Sequence, residues 1–194
     1  MFIGYYNKSI VLTFISLFIT LIGIKFALDS EINYSLICLL ISGVCDGFDG
    51  YVASKTKRTK NEKKYGIELD SLADVICFGL FPIIIAASLN YTSYINFIIY
   101  FIYCFCAVTR LAYFNIDTEQ KDCFKGVPVT TASFIFPIIL FFIHNEIVVM
   151  CLFLLIGLSF VTNFKIKKFN MKERIVYLAI ILIIISLMIW RILK

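Results

Sequence analysis

Long apolar runs separated by short polar segments dominate this chain. A membrane-spanning helix needs about 20 mostly apolar residues at a rise of about 1.5 Å per residue. On that basis the pattern predicts helices near 9–28, 33–54, 67–89, 93–115, 128–143, 146–162 and 174–193. The fifth is short and contains Pro137, and if it does not cross the membrane, the C-terminus lies on the opposite side.

The second predicted helix is expected to continue past Ser54 as a polar helix. The stretch 55–64, which follows it, contains neither glycine nor proline. Those two residues are the strongest local interruptions of a helix, so their absence favours continuation.

Composition places the chain in the membrane class. Of its 194 residues, 61% are hydrophobic, far more than in a soluble globular protein. We therefore expect an all-α integral membrane protein, a polytopic bundle of about six or seven transmembrane helices forming one membrane-embedded domain over 1–194. The first apolar run is long enough to span the membrane and no small-residue cleavage pattern follows it, so we do not expect a cleavable signal peptide.

The net charge of +5 is concentrated in two loops. Lysines and arginines cluster in 54–65 and 163–172 and are scarce in the other turns. Because cytoplasmic loops carry the excess of basic residues, these two loops and the N-terminus are expected in the cytoplasm. A further role in attracting anionic lipid or a nucleotide stays open.

Histidine and cysteine contribute little to the expected chemistry. His144 is the only histidine, which excludes a histidine-based triad and a histidine-rich metal site. The seven cysteines are scattered through apolar runs without a CxxC pair, and we interpret them as small packing residues.

Two aspartates lie near the end of the second predicted helix. Asp46 and Asp49 share one helical face with Gly50 and Ala53, at positions i, i+3, i+4 and i+7. A carboxylate in or near hydrocarbon is costly unless it is paired, solvated or bound to a cation. The small residues beside the carboxylates leave room for a bulky ligand to approach the backbone.

Two more aspartates lie near the start of the third predicted helix. Gly66, Asp70 and Asp74 also share a face, at i, i+4 and i+8. If the two helical faces meet, four carboxylates occupy one pocket and repel each other strongly. All-oxygen ligands favour Mg²⁺ or Mn²⁺, and a pair of such ions suits displacement at phosphorus, with one carboxylate left as general base. The alternative is that each aspartate caps a helix or pairs with a nearby lysine.

The two aspartate segments together resemble the motif of the CDP-alcohol phosphatidyltransferase family. The chain reads Asp-x2-Asp-Gly-x2-Ala over 46–53 and Gly-x3-Asp-x3-Asp over 66–74. It departs from the family pattern at Ser54, where the family has arginine, and Lys55 or Lys57 is a candidate to replace that arginine.

The resemblance implies the CDP-alcohol phosphotransferase fold and a centre of two divalent ions. Asp46, Asp49 and Asp70 would be ligands, and Asp74 would join them and act as the base. The resemblance further implies that the cytidine and phosphates of a CDP-linked donor are bound by the residues Gly50, Ala53, Lys57 and Gly66. A homodimer, an active site at the cytoplasmic face of a bacterial or archaeal cell membrane, and no nucleic-acid partner are also expected.

Further stretches resemble the phosphatidylserine synthase branch of the family. They are 68–79, 109–115 with Tyr113 in place of an arginine, and 124–128. With them the resemblance covers about 43–133 and implies transfer of a phosphatidyl group from CDP-diacylglycerol to L-serine with release of CMP.

Arg110 lies within an apolar helix and is a candidate to bind the carboxylate of serine or the diphosphate of the donor. An arginine that extends its charged end towards the membrane surface is the structural alternative. Asn115, Lys121 and Lys125 are weaker candidates on the same side. Other open functions are transfer to glycerol 3-phosphate or an inositol phosphate, and a non-enzymatic cation transporter that uses the aspartates as its ion site.

Overall fold

Helices form nearly all of the computed structural model, which describes residues 3–116, 123–167 and 171–193. The α-helices of these ranges are α1 Val11–Leu28, α2 Ile32–Lys55, α3 Lys60–Asp74, α4 Phe81–Ser88, α5 Tyr94–Ile116, α6 Ala132–Phe142, α7 Glu146–Val161 and α8 Met171–Leu193. A π-helical segment, Val75–Leu80, joins α3 to α4 without a loop. Short 3₁₀ turns, Lys8–Ile10 and Val129–Thr131, precede α1 and α6.

The predicted all-α membrane fold is confirmed. Among the described residues, four helical stretches are long and apolar enough to cross a membrane: Lys8–Leu28, Ile32–Lys55, Lys60–Ser88 and Tyr94–Ile116. Shorter apolar helices cover Val129–Phe142, Glu146–Val161 and Ala179–Ile192. The helix predicted to be short is indeed short, and α6 contains Pro137.

The prediction that the second helix continues past Ser54 is wrong. Helix α2 ends at Lys55, and α3 begins only five residues later, at Lys60. A capping box explains the new start: the Thr59 side chain accepts from the Glu62 backbone, and the Glu62 carboxylate accepts from the Thr59 N–H. This reciprocal pair satisfies the free N–H groups of a new helix and so favours a break over a continuous polar helix.

Hydroxyl groups join α1 to α2 in the interior of the bundle. The Ser16 and Ser42 hydroxyls lie 2.8 Å apart, and the Thr20 hydroxyl lies 2.9 Å from that of Ser42. Small polar residues of this kind let helices approach closely in a membrane and bond across the interface. Glycine contributes to the same packing, since a Cβ on Gly23 would lie 2.4 Å from the Phe81 ring.

Two short strands connect loops that are far apart in sequence. Strand β1, Cys123–Lys125, pairs antiparallel with β2, Lys165–Lys167. The pairing continues at Gly126, whose N–H donates to the Phe164 carbonyl at 2.8 Å, and Val127, whose N–H donates to the Ser159 carbonyl at 3.2 Å. These bonds hold the start of the segment that leads into Val129–Thr131, beside the aspartate-bearing ends of α2 and α3.

Candidate active site

The aspartates near the end of α2 lie beside open space. Asp46 and Asp49 are half-buried, whereas Gly47 and Gly50 are exposed. A Cβ added to either glycine would meet no atom within 4 Å. The glycines therefore leave one side of α2 accessible next to the two carboxylates.

The break between α2 and α3 brings the aspartates of the two helices to one site. Because the capping box starts α3 so soon after Lys55, the connection is only 56–59, and residues of both helices line one cavity. Asp70 and Asp74 then lie one turn apart near the far end of α3 and face the aspartates of α2.

Three carboxylates converge closely enough to share a metal ion. One carboxylate oxygen from each of Asp46, Asp49 and Asp70 lies within 4.8 Å of the others. Asp70 is within hydrogen-bonding reach of Asp49, and Asp74 is within reach of Asp46. Carboxylates this close repel each other unless cations or protons lie between them.

The donor set fits a hard divalent cation. All its ligand atoms are carboxylate oxygens, the ligands that Mg²⁺ and Mn²⁺ prefer. Oδ1 of Asp70 is also buried without a hydrogen-bond partner among the described residues. A buried carboxylate oxygen needs a partner, and a metal ion at the cluster would provide one.

Thr130 joins the aspartates and was missed in the sequence. Its hydroxyl donates to Oδ2 of Asp46 at 2.7 Å. The residue lies in the 3₁₀ turn before α6, 84 positions from its partner. In the sequence, Thr130 is recognisable only as one of two threonines directly before an apolar helix. Its contact with Asp46 arises from the fold.

Arg110 supplies positive charge from α5. It is only 7% exposed, and its Cζ lies 4.8 Å from the centre of the Phe114 ring. The guanidinium is close enough to Asp74 and Asp46 for its charge to act on both. A buried arginine that lines the cavity close to two carboxylates differs from one that extends its charged end into solvent, which disfavours the structural alternative.

A polar cluster forms at the same end of α5. The Ser71 hydroxyl donates to Oδ1 of Asn115 at 3.1 Å, and the Asn115 amide donates to Glu68 at 3.5 Å. Ser71 is a second residue missed in the sequence. Its neighbours Asp70 and Asp74 are recognisable in the sequence by their spacing, whereas a single serine on a helix is not.

A cavity of about 370 Å³ contains the site. Of the residues predicted to act, the structure brings together seven at its wall: Asp46, Asp49, Gly50, Asp70, Asp74, Arg110 and Asn115. The remainder of the wall is largely apolar and includes Phe48, Leu111, Phe114, Phe134 and Ile181. Such a cavity combines a charged region with a surface suited to lipid.

Other predicted site residues lie elsewhere. Ala53 and Lys57 do not line the cavity, and Lys57 is exposed. Gly66 also lies off the wall, and a Cβ there would be 3.7 Å from Nη1 of Arg58. Lys121 lies outside the described residues, and for Lys125 the structure describes only its backbone position in β1.

The family of the chain follows from comparison with known proteins. The model of the family described as CDP-alcohol phosphatidyltransferase matches residues 7–192. The chain belongs to the CDP-alcohol phosphatidyltransferase family. It is thus an integral membrane transferase, and the motif resemblance of 46–53 and 66–74 is confirmed.

Curated relatives are 30% to 33% identical to this chain over the aligned residues. An archaetidylserine synthase of Methanothermobacter thermautotrophicus is 33% identical over 58% of the chain, but only 48% of that relative is covered. A CDP-diacylglycerol–serine O-phosphatidyltransferase of Methanocaldococcus jannaschii is 30% identical over 86% of the chain and 80% of its own length. An enzyme of the same name from Bacillus subtilis is 32% identical over 76% of the chain and 81% of its own length.

Proposed function

We propose that this phosphatidyltransferase moves the phosphatidyl group of CDP-diacylglycerol to the hydroxyl of L-serine and releases CMP. The observation that carries the proposal is one cavity that holds four aspartates and a buried arginine beside an apolar wall. The names of the three relatives agree on serine as acceptor.

Asp46, Asp49 and Asp70 would hold the divalent ions, with Asp74 completing the site. When bound, two such ions neutralise the donor diphosphate and stabilise the charge that develops on departing CMP. Thr130 orients Asp46 through its 2.7 Å hydrogen bond, so that its other oxygen is directed to a fixed place. Gly47 and Gly50 leave open space along α2 where the donor phosphates can approach.

Asp74 is the proposed base. Its carboxylate accepts the proton of the serine hydroxyl as that oxygen forms a bond to the phosphorus next to the lipid. The bond from phosphorus to the CMP oxygen breaks in the same displacement, and CMP leaves with the electron pair. Catalysis then rests on positioning and electrostatic stabilisation, and no covalent enzyme intermediate is required.

Arg110 would bind the carboxylate of serine. A guanidinium can donate two parallel hydrogen bonds to a carboxylate, which lysine cannot reproduce. Its position near Asp74 suits this role, because the amino acid's hydroxyl must reach the base while its carboxylate is held. Asn115, with Ser71 beside it, is a polar group of the same cavity for the rest of the amino acid.

The site would face the cytoplasm. The basic residues of 54–65 support this side, since Lys55 ends α2 and Lys57 and Arg58 belong to the connection between α2 and α3. A homodimer in the cell membrane is part of the same proposal, carried by the family resemblance alone.

The test is CMP release by purified protein in detergent. CDP-diacylglycerol and Mn²⁺ or Mg²⁺ are supplied with L-serine, glycerol 3-phosphate or an inositol phosphate in parallel. Release that depends on serine is expected. If release depends on a phosphorylated acceptor, that acceptor replaces serine as the proposed substrate. If release shows no acceptor preference, only the assignment to the family remains.

The role of Asp74 has its own test. Asp74→Asn keeps the size of the side chain but removes the proton acceptor, so turnover should be abolished while Mn²⁺ binding through the other three aspartates largely persists. Asp49→Asn is the matched comparison and should lose both turnover and Mn²⁺ binding. Serine incorporation near the wild-type rate in Asp74→Asn would assign the base elsewhere.

A further inference from the structure

The helix that carries two of the aspartates changes its winding directly after them. Helix α3 ends at Asp74, and the π-helical segment Val75–Leu80 follows at once. The N–H of Phe81 donates to the carbonyl of Ile76, five residues back, which is the hydrogen bond of a π turn. Single π turns inside α-helices occur frequently at functional sites.

Pro82 supplies a reason for the change. In a regular α-helix the carbonyl of Phe78 would accept from the N–H of residue 82, but proline has no N–H, and its ring clashes with that carbonyl. The Phe78 carbonyl must therefore find another donor, because an unsatisfied carbonyl in a membrane interior is costly.

Tyr103 is that donor. Its hydroxyl donates to the Phe78 carbonyl at 2.6 Å, across from α5. The side chain is fully buried, with ring centroids of Phe136, Phe153 and Phe160 at 5.0 to 5.7 Å from its own. The hydroxyl is thus held in one place by α6 and α7, and it fixes the position of the π turn.

The tightly packed part of the helix, at Phe78 and Phe81, does not line the cavity. Phe78 and Phe81 are fully buried, and Phe81 packs at Gly23 of α1. In an uninterrupted α-helix, Asp74 would share a face with Phe78 and Phe81, at i, i+4 and i+7. Each extra residue taken up by a π turn rotates one part against the other by about 100°, the angle per residue in an α-helix of about 3.6 residues per turn. The π turn therefore sets the direction of Asp70 and Asp74 relative to the packed part of the helix.

We infer that Tyr103 is a positioning residue for the metal-binding aspartates, acting through the Phe78 carbonyl and the π turn on the direction of Asp70 and Asp74. The catalytic consequence rests on the proposed function, whereas the consequence for metal binding does not. Without the hydroxyl the Phe78 carbonyl loses its donor and the π turn is no longer held in one place, so that the carboxylates of α3 shift away from those of α2.

The test compares two tyrosines of the same helix. Tyr103→Phe removes the hydroxyl at the π turn. Tyr100→Phe is the matched control, because Tyr100 is also buried, also contacts Phe153 and also donates to a backbone carbonyl, that of Tyr91 at 2.9 Å. Mn²⁺ binding to the detergent-solubilised protein, followed by electron paramagnetic resonance, is the primary measurement.

Tyr103→Phe should weaken Mn²⁺ binding by about tenfold to about a hundredfold, the usual effect of losing a group that orients metal ligands. Tyr100→Phe should stay within about twofold of the wild type while losing similar thermal stability. Equal Mn²⁺ affinity in the two variants would overturn the inference. Weak binding in both, in proportion to lost stability, would also overturn it by reducing Tyr103 to a general packing residue.

Pro82→Ala provides an independent measurement, also when Tyr103→Phe fails to fold. Alanine restores an N–H that can donate to the Phe78 carbonyl, so the helix can become regular. Added to Tyr103→Phe, it should restore thermal stability but not Mn²⁺ affinity, and alone it should weaken Mn²⁺ binding. Unchanged Mn²⁺ affinity in Pro82→Ala would count against the inference. If the wild type binds Mn²⁺ but releases no CMP, the proposed function fails and the inference about metal binding is still decided.

Discussion

Thr130→Val measures how much one hydroxyl contributes to the orientation of the aspartates. Valine keeps nearly the same shape but cannot donate to Oδ2 of Asp46, to which the threonine hydroxyl donates at 2.7 Å. A hydrogen bond to a charged group contributes about 1.5–3 kcal/mol. With about 1.4 kcal/mol for each factor of ten, the loss corresponds to roughly tenfold to roughly 150-fold.

The assay is serine-dependent CMP release at saturating and at limiting Mn²⁺. We expect kcat/KM of Thr130→Val to fall within that range, with the larger loss at limiting Mn²⁺, because a misoriented Asp46 binds the ion less well. Thr130→Ser should retain most of the activity, since it keeps the hydroxyl.

Thr162→Val is the matched control. The Thr162 hydroxyl donates to the Ser159 carbonyl at 2.8 Å and does not line the cavity. Its activity should stay within about twofold of the wild type, as expected for a substitution away from the site. If Thr130→Val is no more impaired than Thr162→Val, the hydrogen bond to Asp46 has no part in the reaction.

Four further predictions concern packing and the metal. Gly43→Ala should lower stability by about 1–3 kcal/mol, because its Cβ would lie 1.8 Å from Oγ of Ser133. Gly47→Ala should instead add about 0.5–1 kcal/mol, since it meets no atom within 4 Å and alanine favours a helix. Gly126→Ala should lower the thermal midpoint, because its φ of 74° disfavours a side chain and its Cβ would lie 2.3 Å from the Phe160 carbonyl. Removal of divalent ions with EDTA should stop CMP release, and added Mg²⁺ or Mn²⁺ should restore it.

Thermal unfolding in detergent checks the three glycine variants. Equal midpoints for Gly43→Ala and Gly47→Ala would contradict the close approach of α2 to α6 at Ser133. An unchanged midpoint for Gly126→Ala would contradict the turn after β1. CMP release that persists in EDTA would exclude the metal from the proposed reaction.

The sequence predicts the helices well because their apolar runs are long. The predicted 33–54 and 93–115 agree with Ile32–Lys55 and Tyr94–Ile116 to within a residue or two. The break after α2 depends instead on a short polar signal, Thr59 and Glu62 at capping-box spacing. That signal was present in the sequence but was outweighed by the absence of glycine and proline.

The site is predictable where its residues share a helical face and not where the fold joins distant segments. Asp46 and Asp49, or Asp70 and Asp74, can be paired by spacing alone. The hydrogen bond of Thr130 to Asp46 spans 84 positions, and no periodicity predicts it. The π turn depends on Tyr103 in a different helix, so its position cannot be derived from α3 and α4 alone.

The pairing of β1 with β2 restricts how the chain can cross the bilayer. Strands that exchange hydrogen bonds lie on the same side of a membrane, so the number of crossings between Cys123–Lys125 and Lys165–Lys167 must be even. Helices α6 and α7 are the helices between them, and they must therefore either both cross or both turn back. Relative to these strands, the side on which α8 ends then depends on α8 alone, whatever Pro137 does to the depth that α6 reaches.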